Sequence, residues 1–136
     1  MNIKRFIVAI LAVLLFVLVS QWIIDSYILV KLYIATAPMW RDFREMMNNL
    51  PLTIGFMLVL SIWSTYVFSQ IFPEGGFKNG LHFGFYFGIF MGIFAASWYL
   101  WLPVPPLLAV GWFVTRFFQI LVCGMILGVI YTKETT

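Results

Sequence analysis

Arg116 and Gln119 are the residues whose types and spacing come nearest to chemistry in this sequence. They stand three apart, about ten residues into a long apolar run, with Cys123 one turn further on. An arginine at that depth in a hydrocarbon phase costs roughly 2.5 kcal/mol or more before it finds a partner. Near the other end of the chain Gln21 and Asp25 share a helix face at i, i+4. If both segments cross a bilayer, Asp25 and Arg116 belong to the same leaflet half, and a long arginine side chain can bridge several ångströms. The spacing therefore suggests a buried Arg116–Asp25 pair supported by Gln21 and Gln119. Such a pair serves either as a polar site for an anionic headgroup, a proton or a small solute, or as a clasp that fixes helix order.

Other chemistry is thin. His82 is the only histidine, lies close to Lys78 and has no second axial ligand at haem spacing. It reads as a ring at the membrane edge. The single cysteine, Cys123, excludes an intramolecular disulfide and any cysteine-based metal cluster, and reads as a small packing residue. The five acidic residues are scattered and form no obvious acid–base couple. No phosphate loop, metal-spaced histidine pair or serine–histidine–acid set occurs. No catalytic residue, cofactor or metal site is expected, and the chain is not expected to be an enzyme.

Composition explains why polar residues are so few. Of 136 residues, 63% are hydrophobic and only 10% charged, against roughly 25% charged in a soluble domain. A water-soluble fold of this size leaves too much surface exposed to hide that apolar content, so lipid must solvate it. A net charge of +3, scattered along the chain, does not point to nucleic acid.

The elements follow from the apolar runs. A first span over about 4–25 begins behind Lys4 and Arg5 and has no glycine or proline before Ala37, so its helix is expected to extend toward residue 37, tilted or projecting past the bilayer. It resembles a signal peptide at its start, but the apolar run is long and no small-x-small cleavage site follows, so a retained span is expected. Pro38 and Pro51 bracket "PMWRDFREMMNNLP". There Met39, Trp40, Phe43, Met46, Met47 and Leu50 fall on one face, predicting a short amphipathic helix over about 38–50. It either lies on the membrane surface or caps the bundle. Further spans are expected over about 52–71, 80–102 and 107–131, joined by "FPEGGFKNG" and "PVPP". The fold class is thus all-α: a single four-helix transmembrane bundle with a surface helix between spans one and two.

Gly80, Gly84, Gly88 and Gly92 recur every four residues and advance by about 40° per step. They form one groove along the third span. Helices in lipid lack a hydrophobic force between them, so small residues mark the places where backbones approach closely. Ser61, Thr65 and Ser69 make a strip on the second span that the glycine row is expected to face, and Gly124 and Gly128 add a small pair on the fourth. The seam either packs these helices within one chain or serves a homo-oligomer or a partner membrane subunit.

Basic residues at the span ends divide four against three, with Lys4, Arg5, Lys78 and Lys133 opposite Lys31, Arg41 and Arg44. That places both termini in the cytoplasm.

The second half resembles a group of small, functionally uncharacterised bacterial inner-membrane proteins with four spans. The likeness rests on the glycine-rich third span "GLHFGFYFG", the "PVPP" connector, and Trp112, Gln119, Gly124, Gly128 and Tyr131, with "MWR" and "EMM" in the first connector. It covers roughly residues 27 to 131. The resemblance implies a bacterial inner-membrane location and no assigned activity. The role expected from all of this is a structural or accessory subunit acting by helix association, in contact with membrane lipids. The alternative is a lipid- or small-solute-binding or transport protein with its polar site around Arg116, and a small membrane enzyme ranks last.

Overall fold

A computed structural model describes residues 2–132. Lys133, counted in the charge asymmetry, lies outside the described residues. Every regular element is helical, and no strand forms among the described residues.

Helix α1 (Ile3–Ile23) starts where Asn2 accepts hydrogen bonds from the Lys4 and Arg5 amides at 3.0 and 3.4 Å, so two of the orphan amides of its first turn have a partner. It runs into a single wide π-turn over Ile24–Ile28, closed by Leu29 N donating to Ile24 O at 2.9 Å. The helix does not continue straight to residue 37. The extra residue in the π-turn kinks the chain at Leu29, and a short helix α2 (Val30–Ala35) follows.

A 3-10 turn at Ala37–Met39 and extended backbone at Trp40 come next. Helix α3 (Phe43–Asn48) is therefore shorter than the expected 38–50 segment. Its cap is Asp42, whose carboxylate accepts from Glu45 N at 2.8 Å. Phe43, Met46 and Met47 are exposed as an amphipathic helix requires. Met39 and Trp40 instead turn inward against Ile24, Leu29, Val104 and Leu108.

Helix α4 (Leu50–Ile71) has Pro51 in its first turn, α5 covers Phe77–Ser97 and α6 covers Pro106–Ile130. Gly75 and Gly76, at φ of 64° and 99°, turn the chain between α4 and α5, in a region that side chains disfavour. Four segments are long and apolar enough to cross a membrane: Ile3–Ile28, Leu50–Ile71, Phe77–Leu100 and Pro106–Ile130. Length and composition thus mark a multi-pass membrane protein. Trp22, Tyr86, Phe90 and Phe118, each more than half exposed, point outward from it. Arg5 Nη1 donates to Thr132 O at 3.0 Å, so the two described ends of the chain lie together at one end of the bundle.

The glycine seam has a different partner from the one the sequence suggested. Its helix is α6, not α4, and α5 with α6 form the most extensive helix pair. A methyl group on Gly84 would meet Leu121 O at 2.7 Å, and one on Gly88 would meet Phe117 O at 3.0 Å. On Gly80 it would meet Gly128 Cα at 2.8 Å, and on Gly92 the Phe113 ring at 2.9 Å. Reciprocally, a methyl on Gly124 would meet Gly84 Cα at 2.6 Å. At one end Gly76 N donates to Gly128 O at 2.9 Å, a backbone bond between the two helices that only such proximity permits.

Ser61, Thr65 and Ser69 are buried as well, but on the face of α4 whose principal neighbour is α1. Each hydroxyl donates back to its own helix at 2.7 Å, to Met57, Ser61 and Tyr66 carbonyls respectively. A strip satisfied in this way needs no polar partner on the facing helix. This is why a serine–threonine row can pack against aliphatic residues as well as against glycines.

Two apolar clusters hold the bundle. Near the chain ends Ala9, Val13, Phe68, Phe83, Leu127 and Tyr131 pack together, with Phe68 edge-on to Phe83 and Tyr131 at centroid distances of 5.4 and 5.9 Å. Ile24, Leu29, Val104 and Leu108 close the opposite end.

Candidate functional site

Between the two clusters lies a cavity of about 640 Å³, lined by α1, α2, α4, α5 and α6. Its size falls in the usual range for small-molecule sites, about 300–1,000 Å³. It exists because α4 and α5, although joined by a tight turn, have no extended interface with each other. Phe68 meets Phe83 beside the turn; further along, Leu60 and Ser64 line one wall while Phe87, Met91 and Ala95 line the other. Between Pro51 and Leu60 every residue of α4 except Met57 is exposed, even though Thr53, Phe56 and Leu60 also border the cavity. The chamber therefore opens sideways between α4 and α5.

The polar wall belongs to α1, α2 and α6. Arg116, half-buried, donates from Nη1 to Gln119 Oε1 at 2.6 Å. Gln119 is only 3% exposed and uses its amide in turn, donating from Nε2 to Ser20 Oγ at 2.8 Å and toward Val17 O at 3.4 Å. Helix side chains lean toward the helix N-terminus, so Gln119 reaches back over Arg116 rather than away from it. Gln21 Nε2 donates to both Asp25 carboxylate oxygens at 3.0 Å. All four residues proposed from spacing alone thus converge on one region.

The direct Arg116–Asp25 ion pair does not form. Gln119 takes the arginine and Gln21 takes the carboxylate, and the two charges act on each other only through space. Each charge is answered instead by a glutamine one turn away on its own helical segment, Gln119 three residues after Arg116 and Gln21 four residues before Asp25.

Two further residues complete the wall. Tyr33 of α2 accepts a hydrogen bond from Trp112 Nε1 at 2.8 Å, and its hydroxyl also interacts with the Asp25 carboxylate. Burial pushes the Tyr33 phenol above its ordinary range, with the Asp25 charge acting in the same direction, so it stays a donor at neutral pH. Trp40 packs edge-on against both, at centroid distances of 5.4 Å from Tyr33 and 6.3 Å from Trp112, and donates from Nε1 to Thr36 Oγ1 at 2.7 Å. Trp112 lies one turn before Arg116, a signal present in the sequence. Tyr33 carries no such signal, because its position depends on the kink at Leu29.

Two sets of polar atoms at this wall are left over. Gln21 Oε1 is buried and has no hydrogen-bond donor among the described residues. Its orientation is fixed, because the amide nitrogen must face the carboxylate. The guanidinium of Arg116 carries five N–H donors, and Gln119 is the protein acceptor it takes among the described residues. Cys123 borders the same cavity as a buried thiol. His82 is exposed, away from this wall. No group of three or more metal-ligating side chains converges among the described residues.

No family model matches the chain, and no curated protein or solved structure matches it.

Proposed function

We propose that this chain is an intramembrane binding protein for a lipid-like amphiphile, whose polar head rests against Arg116, Gln119 and Gln21 and whose apolar part lies between α4 and α5. The observation that carries this reading is the side-opening cavity with one polar wall. A site with aromatic and aliphatic walls and a few convergent polar groups suits a ligand of mixed character. A charged residue in a membrane span that faces an inter-helix cavity is by default a candidate functional group.

The role as a structural or accessory subunit ranks second. Its main support was the glycine seam, and Gly80, Gly84, Gly88 and Gly92 face α6 of the same chain. A bacterial inner membrane with both termini in the cytoplasm is the location we assign, on the family resemblance and on the basic residues beside the N-terminus.

Native mass spectrometry of the gently solubilised protein tests the reading. Wild type is expected to carry a bound molecule of lipid mass. Ala95→Phe, which fills the cavity from the α5 wall, is expected to remove most of that occupancy while leaving the fold intact. Equal occupancy in the two proteins would refute the proposal.

A further inference from the structure

Among the described residues, Arg116 is the single charged side chain in the lining of the cavity. Asp25 acts on it through space but stands outside that lining, so no carboxylate opens onto the chamber. Arg116 lies in the middle of the α6 wall, with Trp112 one turn before it and Ile120 one turn after, about 15 Å along the helix from Pro106. Its Nη1 donates to Gln119 Oε1 at 2.6 Å. Its Nε and Nη2 have no acceptor among the described residues, and neither atom is closed to approach as Gln21 Oε1 is.

Nε and Nη2 form one edge of the guanidinium. Their N–H bonds run parallel in one plane, a fork that matches two oxygens of a carboxylate or a phosphate. Gln119 holds the arginine without covering that edge. Its Oε1 must face the guanidinium, which only donates, while its Nε2 is tied to Ser20 Oγ on α1 at 2.8 Å. Resting on the binding reading above, we propose that the ligand is an amphiphile with a singly charged acidic head, a carboxylate or a phosphodiester, whose oxygens sit on Nε and Nη2 of Arg116.

Charge selects among heads. A hydroxyl or ester can accept from the same edge, but hydrogen bonds between ionised partners are about twice as strong as neutral ones, and the gain is larger where water is scarce. A second negative charge on the head would meet no second cation in the lining. An ammonium would find no carboxylate in the chamber and would lie beside a guanidinium, so a zwitterionic head leaves half of itself unanswered.

The apolar part of the ligand has a matching path. Phe87, Met91 and Ala95 on α5 face Leu60 and Ser64 on α4 across the opening, while Phe68, Phe83 and Tyr131 seal the end near the termini. An acyl chain can therefore lie between α4 and α5 with its head turned to the α6 wall.

The test uses the whole chain and reads retained molecules by native mass spectrometry from mild detergent, in two arms. One arm offers equal amounts of oleic acid, oleyl alcohol and methyl oleate, which share a chain and differ in the head. The other reconstitutes the protein in vesicles of phosphatidylglycerol, phosphatidylcholine and phosphatidylethanolamine in equal amounts with identical acyl chains. Wild type is expected to retain the acidic member several-fold over its companions. A preference in the first arm alone names a free acid as the source, and one in the second alone names an anionic phospholipid. A preference in both means that the site reads the acidic group itself. Arg116→Gln is expected to bring retention of the acid down to that of its companions. Arg116→Lys keeps the charge but not the fork, and is expected to keep only part of the preference. A thermal melt reports whether each variant folds. If Arg116→Gln does not fold, Arg116→Lys decides, since an undiminished preference there overturns the two-oxygen contact.

No preference for the acidic head in either arm would overturn the assignment, and so would a preference that Arg116→Gln leaves intact. If wild type shows no preference but Ala95→Phe still abolishes occupancy, the cavity binds an amphiphile and only the acidic head fails. Occupancy that Ala95→Phe leaves unchanged, selective or flat, places the bound molecules outside the cavity, and both proposals fall together.

Discussion

Gln119 on α6 and Ser20 on α1 are joined by a 2.8 Å hydrogen bond, Nε2 to Oγ, in the interior of the bundle. The same glutamine accepts from Arg116 through its other amide atom. One side chain therefore couples a helix-to-helix contact to the arginine that faces the cavity. Ser20 Oγ donates its own hydrogen bond to Val17 O at 3.2 Å, which leaves a lone pair to accept from Gln119.

Gln119→Leu removes both bonds. Hydrogen bonds between membrane helices average about 0.6 kcal/mol and reach about 1.7 kcal/mol, and a stranded guanidinium adds to the loss. The expected destabilisation is about 1–2 kcal/mol, read as a lowered thermal transition in detergent. Arg116→Leu combined with Gln119→Leu is expected to cost less than the sum of the single changes, because the double variant strands no charge. Strict additivity would show that the two residues act separately.

The convergence of Arg116, Gln119, Gln21 and Asp25 was legible in the sequence, because apolar runs make every polar exception visible. So were four helices long and apolar enough to cross a membrane, and the close-packing character of the glycine row. What the row packs against was not legible. Small residues state that a backbone approaches, and both Ser61–Ser69 and Gly124–Gly128 present small surfaces. The choice was made by the turn at Gly75 and Gly76, which brings Gly76 N to Gly128 O. The π-turn was equally hidden, since "IDSYI" holds no glycine or proline to mark a break. Every contact of Tyr33 depends on it.

Glycines at the seam and away from it should respond in opposite ways to alanine. At Gly124 the new methyl would stand 2.6 Å from both Gly84 Cα and Gly84 N, which are backbone atoms with no room to give. Overpacking of this kind costs about 1–3 kcal/mol, so Gly124→Ala is expected to lower the thermal transition clearly. A methyl on Gly55 would meet no atom of another part of the fold within 4 Å among the described residues. Gly55→Ala should be neutral or raise stability by up to about 1 kcal/mol, the helix-propensity difference. Equal effects at the two sites would contradict the α5–α6 seam.

Tyr131 should tolerate loss of its hydroxyl. Its ring is buried against Phe68 at 5.9 Å, but its oxygen is buried without a hydrogen-bond partner among the described residues. Desolvation raises its phenol above the ordinary range, so no charge forms there near neutral pH. Tyr131→Phe keeps the ring contact and deletes the unsatisfied group. Stability is expected to hold or to rise by about 1 kcal/mol. A large loss would mean that the hydroxyl has a partner at this end of the bundle.

The kink after the π-turn is held by two contacts with α6, and they should fail independently of the glycine seam. Leu29 is 4% exposed and leans on Gly111, where an added methyl would meet Leu29 Cδ2 at 2.7 Å. Tyr33 accepts from Trp112 four residues further along the kinked segment. Because the Leu29 contact is the end of a flexible side chain, Gly111→Ala should displace it at a smaller cost than Gly124→Ala imposes on backbone. Tyr33→Phe leaves the Trp112 N–H without its acceptor and also deprives Asp25 of a hydroxyl neighbour. Hydrogen exchange is therefore expected to speed up over residues 29–36 in Tyr33→Phe, with α5 and α6 unchanged. Trp112→Phe should give the same local pattern, and the double variant little more than either single change, since both delete one bond. Faster exchange across α5 and α6 as well would mean that the kink and the seam unfold as one unit.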